Sequence, residues 1–207
     1  MNIYVIRHGQ TNTDGSVNLD GYPDGSLTKV GLTQAHLTGK QLSKVAFNAI
    51  YSSDLKRALQ TSEIVAGYHQ NLQVTIDKQI REINMGVFHT SSSEQVSLDY
   101  PEFYAEFLKK ATDFRYPKGE SGEEVLVRTL NFLKSITLKE DDTLCIVCHG
   151  GVIRSLFSYL LGLPQYKRFN LHTFNCGISL LNYNVENSVF KVISINEISH
   201  LDIYTTY

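Results

Sequence analysis

The chain opens on an apolar run, Ile3-Tyr4-Val5-Ile6, that stops abruptly at Arg7-His8-Gly9. A short run of β-branched and aromatic residues with so sharp an end predicts a buried strand. A polar stretch from Gly9 to Leu27 follows, carrying glycines at 15, 21 and 25 and Pro23. Loops of this length usually serve a function. Val30, Leu32, Ala35, Leu37 and Leu42 then recur at helical spacing behind Thr28, a capping residue, to about Lys44. Ala49-Ile50-Tyr51 predicts a second strand, and Ser52-Ser53-Asp54 the N-cap of a helix. That helix carries Leu55, Ala58, Leu59, Ser62 and Val65 on one face. Val74-Thr75-Ile76 predicts a third strand, with Ile80-Arg81-Glu82-Ile83 close behind.

From Thr90 to Asp113 the pattern is helical but irregular, interrupted by Pro101 and rich in aromatics (Tyr100, Phe103, Tyr104, Phe107). It predicts a helical insertion, about 90–118, covering one side of a site. Ser121 and Glu124 have the spacing of a capping box ahead of Val125, Leu126, Thr129, Leu130 and Leu133. Thr143–Cys148 is continuously apolar, the pattern of a central parallel strand. It ends in His149-Gly150-Gly151, and the helix after it runs to a stop at Gly162 and Pro164. Strands at 178–183 and 189–195 flank a hairpin turn, and 196–207 reads as a terminal extension. Strands alternating with helices predict a three-layer α/β/α sandwich. Its sheet is expected to be mainly parallel with an antiparallel edge strand, in a single domain over 1–207.

Composition adds limits rather than chemistry. The chain has 207 residues, 42% apolar and 19% charged, as in an ordinary globular protein. A formal charge of −2 gives no overall electrostatic reason to expect nucleic acid or an anionic membrane. No apolar run approaches the roughly 20 residues of a membrane helix, and the N-terminus lacks a signal-peptide pattern. Cys145 and Cys148 fall on opposite faces of one strand, so neither a disulfide nor a metal pair is expected. Buried thiols, Cys176 included, fit a cytoplasmic protein.

Two strands end in His-Gly, at His8 and His149. In open α/β sheets ligands bind at the carboxyl ends of strands, and His149 also begins a helix, where an anion is favoured. Arg57, in the first turn after the second strand, points to the same edge, and Glu82 closes the third excursion. Two arginines, two histidines and one carboxylate suit phosphoryl transfer. Arg7 and Arg57 offer bidentate guanidiniums to phosphate oxygens. Neutral His8 can attack phosphorus, giving a phosphohistidine that water cleaves. His149, if protonated, is a third donor. Glu82 can supply the leaving alcohol's proton, because a dianionic ester beside it favours its protonated form. No metal or cofactor is required, and no carboxylate cluster suited to Mg²⁺ is present.

Arg7-His8-Gly9, Ser53-Asp54-Leu55-Lys56-Arg57-Ala58 with Thr61, Arg81-Glu82 with Gly86, Gly119-Glu120-Ser121 and His149-Gly150-Gly151 together resemble the histidine phosphatase superfamily, also called phosphoglycerate mutase-like. The resemblance runs in order over about residues 2–183. It implies His8 as phosphorylated nucleophile, Glu82 as proton donor, and Arg7, Arg57 and His149 as the phosphate pocket. Gln10, Thr11, Asp14 and Gly150 join the expected substrate-binding set. Gln10 and Asp14 stand where the family often has Glu and Asn, Asp24-Gly25-Ser26-Leu27-Thr28 lacks the usual proline, and Phe88-His89-Thr90 replaces an aromatic–acid–glycine pattern.

Cofactor-dependent mutases of the superfamily resemble Glu-Arg-His-Tyr-Gly at the acid and carry basic residues soon after. Here the sequence is Glu82-Ile-Asn-Met-Gly86, and residues 83–108 contain no Lys or Arg. Hydrolysis of a small-molecule phosphate ester is therefore the favoured activity. A phosphoglycerate mutase is the alternative, and a catalytically weak phosphoester- or partner-binding protein is the alternative of another class. The aromatic insertion, 100–116, points to a partly apolar leaving group. The sequence leaves the oligomeric state open.

Overall fold

The structure is a computed structural model and describes residues 1–12, 25–136 and 139–201. Six strands form one sheet: β1 (Asn2–Arg7), β2 (Ala49–Ser52), β3 (Val74–Ile76), β4 (Thr143–Cys148), β5 (Ile178–Asn184) and β6 (Val189–Glu197). Their order is β3-β2-β4-β1-β5-β6. The first four run parallel, and β5 and β6 run antiparallel to their neighbours. Helices α1 (Lys29–Leu42) and α2 (Lys56–Ala66) lie on one side, α3 (Ser93–Asp99), α4 (Pro101–Lys109), α5 (Gly122–Ser135) and α6 (Gly150–Leu160) elsewhere in the chain.

The two faces of the sheet hold separate cores. Ile6, Ile50, Cys145 and Val147 pack with Leu42, Ala58 and Val65 of α1 and α2. Ile3, Val5, Leu144, Ile146 and Cys148 pack with Val125, Phe132, Val152 and Phe157 of α5 and α6. Alternation along β4 thus sends Cys145 and Cys148 to opposite sides; both thiols are free, and burial pushes their pKa values up. The three-layer sandwich follows from this two-sided burial. No described helix is long and apolar enough to cross a membrane.

Four expectations change. The polar Ser52-Ser53-Asp54 does not cap α2: its N-cap is Leu55, with no side-chain bond, because Ser53 is occupied elsewhere. The antiparallel part of the sheet is two strands, with β5 pairing directly against β1. The closing strand runs through Glu197, so the terminal extension starts later than residue 196. A 3₁₀ turn at Gln165–Asn170 lies in the α6–β5 connection, where no element was expected. The predicted capping box at Ser121 and Glu124 is present in both directions.

The insertion is helical, as expected, but its rings turn into the protein. Phe88, Phe103, Phe107, Phe114 and Tyr116 pack edge-on, tilted or, for Phe103 and Phe107, stacked, with centroids 5.1 to 6.2 Å apart. Phe88, Phe114 and Tyr116 are buried. Phe103 and Phe107 are partly buried and pack against that core, and no residue of α4 is fully buried.

Candidate active site

β1 and β4 are neighbours in register, so Arg7 sits opposite Cys148 and the two His-Gly ends emerge side by side. His8 and His149 are both buried, with ring centroids 5.0 Å apart. His8 Nδ1 donates to its neighbour's carbonyl, Gly9 O, at 2.8 Å. That bond fixes the tautomer, leaving the lone pair on Nε2, where Arg57 Nε donates at 3.2 Å. Burial and the charges of Arg7 and Arg57 hold the His8 pKa well below its ordinary value, so the ring is neutral.

The backbone around His8 is bound from three directions. His8 N donates to Cys148 O at 3.0 Å. Asn175 Nδ2 donates to His8 O at 3.1 Å, and Cys176 N reaches Arg7 O at 2.9 Å. Gly9 N donates to Thr61 Oγ1 at 3.0 Å, and that hydroxyl donates to Arg57 O at 2.8 Å. One α2 hydroxyl therefore couples the turn after His8 to the arginine beside it. Gly9 has no room for a side chain: a β-carbon there would lie 2.6 Å from Gly31 O.

Arg7 Nη1 donates to Thr173 O at 2.7 Å, which aims the guanidinium along the loop before β5. His149 Nε2 meets Ser53 Oγ at 2.8 Å, and its Nδ1 is buried without a partner among the described residues. Burial first, then the charges of His8, Arg57 and Arg7, lower its pKa well below the usual value. His149 is thus neutral before ligand arrives, where the sequence reading allowed an imidazolium. Its Nδ1–H is still a donor, since Ser53 can donate to Nε2.

Glu82 lies across from these groups. Its Oε1 accepts from Gly151 N at 2.9 Å and Ile83 N at 2.8 Å, so the carboxyl sits at the N-terminus of α6. A β-carbon on Gly151 would collide with Glu82 Oε1. Arg81 does not pair with Glu82; it binds Asp54 with both nitrogens, at 2.8 and 2.5 Å. Arg128 on α5 holds the same loop from behind, donating to Gln79 O at 2.6 Å and Glu82 O at 3.1 Å. Its own charge is met by Glu120, at 2.9 and 3.1 Å.

The structure brings Arg7, His8, Arg57, Glu82, His149 and Gly150 to one edge of the sheet. Gln10 is tied to α1 instead: its Oε1 accepts from Thr28, whose hydroxyl caps Gly31 N. Thr11 is buried in a bridge with Leu27. Asp14 lies outside the described residues. Sequence reasoning missed Ser53 as a histidine partner, Arg128, Asn175 and the Thr173 carbonyl. Among the described residues no group of three or more His, Cys, Asp or Glu is arranged to hold a metal ion.

A strand-edge cluster of two buried histidines, two arginines and one carboxyl on an α/β sandwich defines an enzyme of phosphoryl chemistry. A model of the histidine phosphatase superfamily (branch 1) matches residues 3–196, and the chain belongs to that family. It is 32% identical over 206 residues, 98% of this chain and 95% of the relative, to a probable phosphoglycerate mutase GpmB of Yersinia enterocolitica. Among solved structures it is similar to YhfR of Bacillus stearothermophilus, with TM-score 0.86 and 27% identity over 97% of this chain and 99% of that one. A mycobacterial glucosyl-3-phosphoglycerate phosphatase matches with TM-score 0.80 and 26% identity, covering 95% and 99% of the two chains. The superfamily holds phosphatases and mutases, and this chain is an enzyme of that kind.

Proposed function

We propose that the protein is a metal-independent phosphomonoesterase that works through a phosphohistidine at His8 on a small-molecule phosphate. The observation that carries this reading is the tautomer of His8. Its Nδ1 proton is committed to Gly9 O, and its neutral Nε2 sits beside Arg57. An imidazole so held is ready to attack without first losing a proton.

In the first step Nε2 of His8 bonds to phosphorus and the ester P–O bond breaks. Arg7, Arg57 and the Nδ1–H of His149 bind the transferring oxygens, whose charge must be neutralised. Glu82 acts as the general acid and gives a proton to the leaving alcohol. In the second step water attacks phosphorus, its proton passes to the Glu82 carboxylate, and the P–N bond breaks. Inorganic phosphate leaves and His8 returns neutral. Gly150 leaves room for an anion at the N-terminus of α6, where Gly151 N holds Glu82.

A mutase reading is favoured by the name of the Yersinia enterocolitica relative. Against it stands the absence of Lys and Arg from residues 83–108, where mutases of the superfamily carry substrate-binding basic residues. The test is phosphate release in EDTA from a panel including para-nitrophenyl phosphate and 3-phosphoglycerate, with His8→Ala alongside. Release that disappears in His8→Ala is expected; isomerisation of phosphoglycerate without release selects the mutase.

A further inference from the structure

The α6 helix carries one cation, Arg154, that the chemistry above does not use. Arg154 lies one turn beyond Gly150, on the same face. A β-carbon built on Gly150 would be 3.1 Å from Thr173 Oγ1, 3.4 Å from Arg154 Nη1 and 3.6 Å from Arg7 Nε. Three polar atoms from three elements therefore converge on the point beside Gly150. Thr173 is 4% exposed, and its hydroxyl has no hydrogen-bond partner among the described residues. Arg154 Nε is likewise buried without a partner, and no ion pair among the described residues neutralises this side chain. A buried donor left unsatisfied is costly, and a half-buried cation without a counter-charge costs more.

The surroundings sharpen that cost. Burial lowers the Arg168 pKa and the charge of nearby Arg154 adds to it, while Asp113 is already taken by Arg168. The Tyr116 hydroxyl is pushed up to about 12, chiefly by burial, and feels both Arg154 and Glu82. Arg154 meets the point beside Gly150 and Glu82 meets the point beside Gly151, so the two side chains flank adjacent residues at the N-terminus of α6.

We infer that Arg154 and the Thr173 hydroxyl form a subsite for a second anionic group, carried on the leaving alcohol a few bonds from the ester oxygen. The inference rests on the hydrolase reading and narrows its substrate to phosphate esters with a carboxylate or a further phosphate. The guanidinium supplies charge and a fork of donors, and the hydroxyl a single donor.

Two matched pairs test it: 3-phosphoglycerate against glycerol 3-phosphate, and fructose 1,6-bisphosphate against fructose 6-phosphate. Wild type is expected to favour the member with the extra anion by tenfold or more in kcat/KM in one pair. That pair names the anion as carboxylate or phosphate. In Arg154→Gln the ratio should collapse toward one, with Thr173→Val intermediate and Arg154→Lys partly restoring it. Equal use of both members of both pairs by wild type overturns the subsite, as does a uniform fall across all four esters in Arg154→Gln. If wild type releases phosphate from none, the hydrolase reading has failed, and titration of 3-phosphoglycerate and fructose 1,6-bisphosphate by calorimetry decides the subsite alone. At least tenfold weaker binding of one of them by Arg154→Gln supports it, and unchanged binding of both overturns it.

Discussion

Arg57 Nε donates to His8 Nε2 at 3.2 Å, so one cation occupies the lone pair that the proposed mechanism uses for attack. The contact requires an unprotonated Nε2, and it ties protonation of His8 to loss of the bond. Because burial and two arginines depress the His8 pKa, protonation is resisted below the ordinary histidine range. The acidic limb of kcat/KM that belongs to His8 is therefore expected below pH 6.5. A limb at or above that value would contradict a nucleophile kept neutral by its surroundings.

The same depression has a consequence for stability. The folded pKa values of His8 and His149 lie below the unfolded value near 6.5, so below that pH the unfolded chain binds more protons. Their stabilising effect is complete above about pH 6.5 and is lost as pH falls toward the folded values. Urea denaturation between pH 7.5 and 5 should show that loss, and it should be shallower in His8→Asn/His149→Asn. Equal slopes for the two proteins would refute it.

Gly151 sets the position of the acid. Its amide holds Glu82, and a methyl group there would push the carboxyl aside. Gly151→Ala should fold, since the residue lies in the first turn of α6. A displacement of about 1 Å costs on the order of a hundredfold in rate. The loss is expected in kcat with a smaller change in KM, measured on para-nitrophenyl phosphate.

Ser53 supports His149 through a buried hydroxyl. Ser53→Ala leaves Nε2 without its partner and should cost about 1–3 kcal/mol of stability. Loss of the fixed tautomer should also lower kcat/KM about tenfold, a change worth about 1.4 kcal/mol. Unaltered rate and midpoint would show that the hydroxyl has no such role.

Arg128 acts on Glu82 through the backbone. It binds Gln79 O and Glu82 O while paired with Glu120, which in turn accepts from Asn84 N. Arg128→Ala is expected to cost about 3 kcal/mol, as loss of one partner of a partly buried ion pair does. Arg128→Lys cannot span both carbonyls and the carboxylate, so it should restore little activity. Full activity in the lysine variant would place the effect in charge alone.

Much of this arrangement was legible in the sequence because it lies at the ends of regular elements. The apolar runs into Arg7-His8 and His149 mark two strands, and adjacent glycines mark where their edge must stay open. Arg57 was found because it begins an amphipathic helix. Arg128 was hidden, since a mid-helix arginine reads as a solvated charge until a loop folds over it. Thr173, Asn175 and Cys176 have no periodicity to read, although the first holds the Arg7 guanidinium and the other two the backbone of Arg7 and His8. Ser53 looked like a helix cap because serine serves that purpose so often; a buried histidine claimed it instead. The place of β5 beside β1 was unreadable because hairpin residues do not say which edge they join.

The covalent intermediate is the central claim. Enzyme mixed with para-nitrophenyl phosphate in EDTA and quenched in alkali should carry one acid-labile phosphoryl group by intact mass. Peptide mapping should place it on His8, with none on His8→Asn and a longer-lived adduct in Glu82→Gln. Phosphate release by His8→Asn at the wild-type rate, or an adduct on any other residue, would contradict the account.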